Sequence, residues 1–452
     1  MSSAECIIRS SSVLTPEGLR PAALHIKGGR VLGVLDIDST MPGLPVNDFG
    51  DLVIMPGLVD THVHVNEPGR AEWEGFVTAT QASAAGGITM IVDMPLNSTP
   101  VTTSRDAFTA KLEAAEGKLR VDCGFYGGVI PENCKMLQPL IDAGILGLKA
   151  FLIHSGIDDF PEVAEAHLRN AMPVIAKSGL PLLVHCEIAG DPAHGAAQRN
   201  PSSYREYLAS RPRMWEHRAI DLMTNLCAEF SCRIHIVHVS SADAIPGLRK
   251  ARRNGLPVTT ETCPHYLYFC SEEIPDGDTR FKCAPPIREK ENRERLWNAL
   301  DDGDIDFVVS DHSPSPPELK HMGAGDYRKA WGGISSLQFG LPIVWTEARK
   351  RGKSVTDIAE WMSRRPAEFA GMTGRKGAIA AGYDADFVVW NPNESFTVAP
   401  ETTYHRHRMT PYEGRTLYGR VHATYLRGEK IFENGVFEGD PTGQVIRRQD
   451  TR

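Results

Sequence analysis

The chain reads as an α/β protein, a (β/α)8 TIM-like barrel with a small β-sandwich formed by its N- and C-terminal segments. Eight apolar, β-rich runs recur along its middle, separated by segments with helix-like apolar spacing. That alternation marks a parallel sheet built from strand-helix units, and eight units fit a closed barrel. An open, doubly wound sheet competes with it, but no GxGxxG opens a helix after any run. Short strand-like pieces joined by Gly-rich turns occur at both ends of the chain, which predicts that the two ends pair with each other.

In order, "IIRSSSVLT", "AALHIKGGRVLGVL" and "GDLVIMPG" supply the first half of the composite sandwich, residues 1–54. The barrel, residues 55–375, takes its strands from "LVDTHVHV", "ITMIVDMP", "CGFYGGVI", "LGLKAFLI", "PLLVHCE", "RIHIVHVS", "VTTETCPHYL" and "DFVVSDHS". "EGFVTATQASAAGG", "PEVAEAHLRNAMPVIAKSG", "HRAIDLMTNLCAEF" and "REKENRERLWNALDDGD" have the spacing of amphipathic helices. Residues 376–452, with "AAGYDADFVVWNP" and "TLYGRVHATYLRGEKIFENGVF", complete the sandwich.

At 452 residues the chain exceeds a single ordinary core, so two domains are expected. Acidic residues number 57 against 49 basic, with no basic block in the body of the chain, which argues against nucleic acid or an anionic membrane as main partner. No apolar stretch approaches the ~20 residues of a membrane helix. Nine cysteines without zinc-like CxxC spacing, and a start lacking a signal core, lead to the expectation of a reduced, cytoplasmic protein.

In such a barrel, polar residues at the C-terminal ends of strands converge at one mouth. His62 and His64, two apart, share a strand face. His185, His238 and Asp311 end three further runs. A lone histidine is an ordinary hydrogen-bonded residue more often than a ligand; four histidines and an aspartate at matched strand ends are hard to explain by core packing. Lys149 lies inside "GILGLKAFLI", where burying an ammonium is costly. Snorkelling to the barrel rim is the plain alternative. A carbamylated lysine instead carries an anion with two oxygens, able to bridge two divalent metals.

This set resembles the binuclear cyclic amidohydrolases, a family that includes dihydroorotase, hydantoinase and allantoinase. The resemblance covers essentially the whole chain. It implies one metal held by His62, His64 and Asp311, a second by His185 and His238, with carboxylated Lys149 and a hydroxide bridging them. Zinc suits such ligands, and cobalt, manganese or iron could replace it. Asp311 is then also the general base that passes a proton to the leaving nitrogen. A homo-oligomer, as a tetramer, follows the family habit. His235 is taken as structural, and His312 as facing away from the metals.

The substrate is set by the surrounding strand-end residues. Asn66 stands where dihydroorotases carry a carboxylate-clamping arginine, His154 where hydantoinases carry a tyrosine, and Ala284 where the former tend to have asparagine and the latter serine. The chain resembles allantoinases at "HVHVNEPGRAEWEGF", "DMPLNS", "LIHSGIDDFP", "ETCPHYL", "KCAPPIRE", "SDHSPSPPELK" and "WGGISSLQ". That implies allantoin, a neutral ureido substrate, in a pocket without an arginine clamp. Asn97, His265, Cys283, Trp331, Gly332 and Gly333 are weaker substrate-side candidates. Glu72 and Trp73 brace the first loop, and Cys186, like Cys283, lacks a base partner and is taken as inert. A hydantoinase, a dihydroorotase and a non-catalytic scaffold remain the alternatives.

Overall fold

The computed structural model describes residues 5–190 and 199–451. Five strands come first: β1 (Cys6–Thr15), β2 (Gly18–Lys27), β3 (Arg30–Leu35), β4 (Val46–Asp48) and β5 (Val53–Pro56). The barrel strands follow as β6 (Leu58–Val63), β7 (Ile88–Asp93), β8 (Asp122–Phe125), β9 (Gly127–Gly128), β10 (Leu148–Phe151), β11 (Leu182–His185), β12 (Ile234–Ile236), β13 (Val258–Thr262) and β14 (Phe307–Val308). The chain ends with β15 (Phe387–Thr397), β16 (Thr416–Leu426) and β17 (Glu429–Glu433).

β6, β7 and β8 pair in parallel, as do β9 through β14. β8 and β9 are two halves of one barrel strand, interrupted at Tyr126, whose N–H donates to Asp93 O. His64 N donates to His312 O at 2.9 Å beside a parallel bridge between Val63 and His312, which closes the barrel. Every residue of β6 and β7 is buried, because the interior side chains face one side of these strands and helices cover the other. The helix Arg213–Phe230 shows the outer layer: Ala219, Ile220, Met223, Leu226 and Cys227 are its buried stripe, spaced as one face of a 3.6-residue turn.

Among the described residues the terminal strands form an eight-stranded sheet in the order β17-β16-β15-β5-β1-β2-β3, with β4 on β1. Its central pairing, β5 with β15, joins the two ends of the chain antiparallel. A buried cation locks this layer to the floor of the barrel. Lys376 Nζ lies 2.8 Å from Asp122 Oδ2 and also bonds Asp386, while Arg427 Nη1 reaches Asp122 Oδ1 at 2.7 Å. One expected strand ends early: in "VTTETCPHYL", Pro264 starts a short helix, Pro264–Tyr268, because its fixed φ suits a first helical turn and its missing N–H would break a ladder. No helix among the described residues is long and apolar enough to cross a membrane.

Candidate active site

The C-terminal ends of the barrel strands open into a cavity of about 350 Å³, and His62, His64, Lys149, His185, His238 and Asp311 all line it. His62 Nε2 lies 3.1 Å and His64 Nε2 3.4 Å from Asp311 Oδ1, so these three could hold one cation. Across the cavity the rings of His185 and His238 meet edge to face at 4.6 Å, and Phe151 stacks on His185. Lys149 is fully buried, its Nζ 4.9 Å above the Phe151 ring and without a hydrogen-bond partner among the described residues.

Protonation states follow from burial against charge. Burial drives His64 down to about 4 and His238 well below the usual imidazole range, leaving both neutral. Burial pushes the same way at His62, but Asp311 and Glu261 outweigh it and lift that ring to about 9. Burial opposes ionisation of Asp311, yet the charge and hydrogen bond of His62 carry it well below the carboxylate range. Lys149 is lowered by burial to about 8. Neutral imidazoles, an ionised carboxylate and a proton trapped on His62 between two acids describe a place built for positive charge.

Buried acids hold the ligand-type side chains in place. Glu261, on β13, bonds His62 Nδ1 on one side and His235 Nε2 at 3.0 Å on the other, so the Nε2 of His62 faces Asp311. Asp60 accepts from His62 N and Ser310 N, tying the first strand to the eighth. Glu187 accepts from or shares a proton with His185 Nε2 at 2.8 Å and pairs with Arg211. Glu74 contacts His312 Nε2 at 3.2 Å, and His312 Nδ1 accepts from Ser336 N, which keeps His312 out of the cavity. The visible signal for these acids was only a carboxylate inside or beside an apolar run, as in "VTTETC".

Asn66, Asn97, His238 and Asp311 are four of the eight non-glycine residues with left-handed φ among those described. Strain of this kind concentrates where a surrounding frame over-determines the backbone. For Asn66, at φ 68°, the conformation itself accounts for asparagine. Its side chain donates weakly to Pro314 O at 3.5 Å and is not in the cavity wall, so its expected part in facing substrate is not seen. His265 is also absent from that wall, although buried close to Asp311.

Asn97, His154, Cys283, Ala284, Trp331, Gly332 and Gly333 do line the cavity. Gly333 has a packing reason to be glycine, since a Cβ there would sit 2.2 Å from Ser313 O, while Gly332 faces open space. Trp73 packs edge-on against Trp331 at 4.7 Å, and Glu72 contributes only its carbonyl, to His407. Burial raises the Cys283 thiol to about 12 and that of Cys186 further, which keeps both inert.

The expectation of a wall without arginine is corrected: Arg211 and Arg328 line the cavity. Each is neutralised, Arg211 by Glu187 and Arg328 by Asp326 at 3.1 Å. A second feature escaped the sequence reading. Lys320 is buried and directs its ammonium at the carbonyls of Trp331 (3.1 Å), Gly333 and Lys282, while Lys282 Nζ donates to Ala330 O at 2.6 Å. Two lysines thus clasp the segments that carry much of the wall.

The amidohydrolase family model matches residues 53–431. The chain is 51% identical to an allantoinase of Streptomyces avermitilis, over 99% of this chain and 100% of that one. It is 45% identical to an allantoinase of Arabidopsis thaliana, over 97% and 90%. The solved L-hydantoinase (dihydropyrimidinase) of Arthrobacter aurescens superposes with a TM-score of 0.92 at 30% identity, covering 98% of this chain and 100% of that one. With the family model spanning most of its length and full-length relatives at this identity, the chain belongs to the amidohydrolase family and, within it, to the allantoinases.

Proposed function

We propose that this protein hydrolyses the cyclic amide of the hydantoin ring of allantoin to give allantoate. The observation that carries this reading is the convergence of four imidazoles, an ionised carboxylate and a partnerless buried amine on one cavity.

The residues fit the two divalent ions that the family implies. A buried Lys149 amine with no hydrogen-bond partner is relieved by carboxylation, which turns an unpaired cation into an anion with two donor oxygens. His62, His64 and Asp311 would hold one ion, His185 and His238 the other, with carboxylated Lys149 shared between them. The imidazole and carboxylate donors suit zinc first, then cobalt, manganese or iron. When bound, such ions make water acidic enough to ionise near neutrality and polarise a carbonyl. Asp311 takes one proton of the attacking water and returns it to the ring nitrogen as the C–N bond breaks, giving a ureido N–H and a carboxylic acid that loses its proton to solvent as carboxylate. Ala284, Gly332, Asn97 and His154 line the cavity and would supply backbone and side-chain polar groups to the substrate. The two arginines of the wall, Arg211 and Arg328, already have acidic partners and are not free to clamp a substrate carboxylate.

In the same proposal the chain forms two units, residues 1–54 with 376–452 and residues 55–375, and assembles as a cytoplasmic homotetramer. Nine unpaired cysteines support a reducing compartment. Exposed Leu19, Leu32 and Val46 on the terminal sheet support self-association.

Turnover by metal-loaded protein on allantoin, hydantoin, dihydrouracil and dihydroorotate tests the assignment. A dihydroorotate carboxylate would find no arginine free of an acidic partner, so allantoin should lead it by more than about a thousandfold in kcat/KM. Hydantoin or dihydrouracil opened as fast as allantoin would move the assignment to hydantoinase. No bound metal and no turnover would leave a scaffold.

A further inference from the structure

Beside the six candidate ligands lies a second donor set. Cys263 directly follows β13 and His265 sits in the short helix that begins after it. One ligand atom from each of Cys263, His265 and Asp311 lies within 4.8 Å of the others. Both ring nitrogens of His265 are buried without a hydrogen-bond partner among the described residues, although a neutral imidazole carries one donor and one acceptor to satisfy. The ring packs edge-on against Tyr266 at 4.2 Å and is absent from the cavity wall, so neither packing nor the cavity accounts for its nitrogens.

We propose that Cys263 and His265, sharing Asp311 with the first ligand set, form an adjacent inhibitory site for a thiophilic divalent cation. Sulfur, imidazole nitrogen and carboxylate oxygen together select zinc or cadmium over magnesium or manganese, unlike the all-nitrogen-and-oxygen set around His62 and His64. Binding displaces the Cys263 thiol proton to solvent as the sulfur takes the cation. The inhibitory consequence rests on the function proposed above. Asp311 has two oxygens, and a cation drawn to it from the Cys263 side withdraws the carboxylate from proton transfer. Turnover should therefore fall while KM stays near its starting value.

The test is titration of metal-replete protein with cadmium, following bound metal per chain, the ultraviolet thiolate-to-cadmium charge-transfer band, and turnover. One additional cadmium per chain should bind, with the band and the loss of kcat rising together. Cys263→Ser should keep its cadmium-free activity, lose the band and weaken inhibition by roughly tenfold or more. His265→Gln should lose the extra equivalent whatever its activity. A Cys186→Ser control should keep both band and inhibition. No additional equivalent in the unaltered protein, or a band and inhibition that survive in Cys263→Ser, overturns the site. A band and an extra equivalent in a chain that opens no cyclic amide would uphold the site and remove the functional reading instead.

Discussion

Replacing Glu261 by glutamine separates charge from shape at the heart of the candidate site. The carboxylate is fully buried between His62 Nδ1 and His235 Nε2, and it is one of two acids that hold the His62 ring up to about 9. In Glu261→Gln one amide oxygen can still accept from His62. The amide N–H₂ then faces His235, which can move its own proton to Nδ1, where Thr259 Oγ1 at 2.8 Å accepts it. Hydrogen bonds survive that rearrangement, and the negative charge behind His62 does not. Loss of such an outer carboxylate weakens metal affinity about 10- to 100-fold, or about 1.4–2.7 kcal/mol. Competition against a chromophoric chelator measures this directly. The metal-free variant should melt below the parent, since the charged His62 loses a buried carboxylate partner, so affinity is compared at a temperature where both proteins are folded. Unchanged metal affinity in a folded Glu261→Gln protein would refute the idea that Glu261 tunes His62 as a ligand.

Four further outcomes are expected. Lys149→Ala should lose most bound metal and activity, with partial recovery in short carboxylic acids. In the unaltered metal-free protein, reactivation at a fixed concentration of dissolved carbon dioxide should quicken as pH rises toward about 8 and level off above it, because only the neutral amine adds carbon dioxide and burial has brought deprotonation down to that range; a flat profile at fixed dissolved carbon dioxide argues against carboxylation. Lys320→Met strands three carbonyls around the former ammonium, so stability should drop by about 1–3 kcal/mol and KM should rise with metal content unchanged. Equal KM in that variant would show that the lysine clasp does not shape the wall. Asn66→Gly should fold and turn over normally, whereas Asn66→Val should lose about 1–3 kcal/mol by thermal denaturation, since a β-branched residue resists φ near 68°.

The six ligand-type residues were legible because each is a polar side chain interrupting an apolar run, five of them near strand ends and Lys149 inside one, and strand period alone relates His62 to His64. The barrel was legible for the same reason: strands buried on both faces cannot alternate, so "ITMIVD" and its fellows stand out. What stayed hidden depends on partners distant in the chain. Glu261 meets His62 from 199 residues away, and Lys320 sits in "PPELKH", a segment that reads as solvent-facing loop. Spacing reports neighbours on one element, whereas these contacts exist only once separate loops are stacked on the rim. Asn66 shows the converse: its position invited a substrate role, while its left-handed backbone supplies a local reason for the residue.

The pairing of β5 with β15 bears on how the chain is made. β5 is complete when residue 56 has been synthesised, and its partner arrives only with residues 387–397. Until then a ribosome-bound chain carries an apolar strand edge, "VIMP", that nothing later in the barrel can cover. At ~5–20 residues per second that edge stays open for roughly 17 to 70 seconds, long enough for holdase chaperones to engage nascent chains at this segment. Expression at lower temperature or with a holdase in excess should therefore raise the soluble yield of the full chain more than that of a circular permutant in which β15 precedes β5.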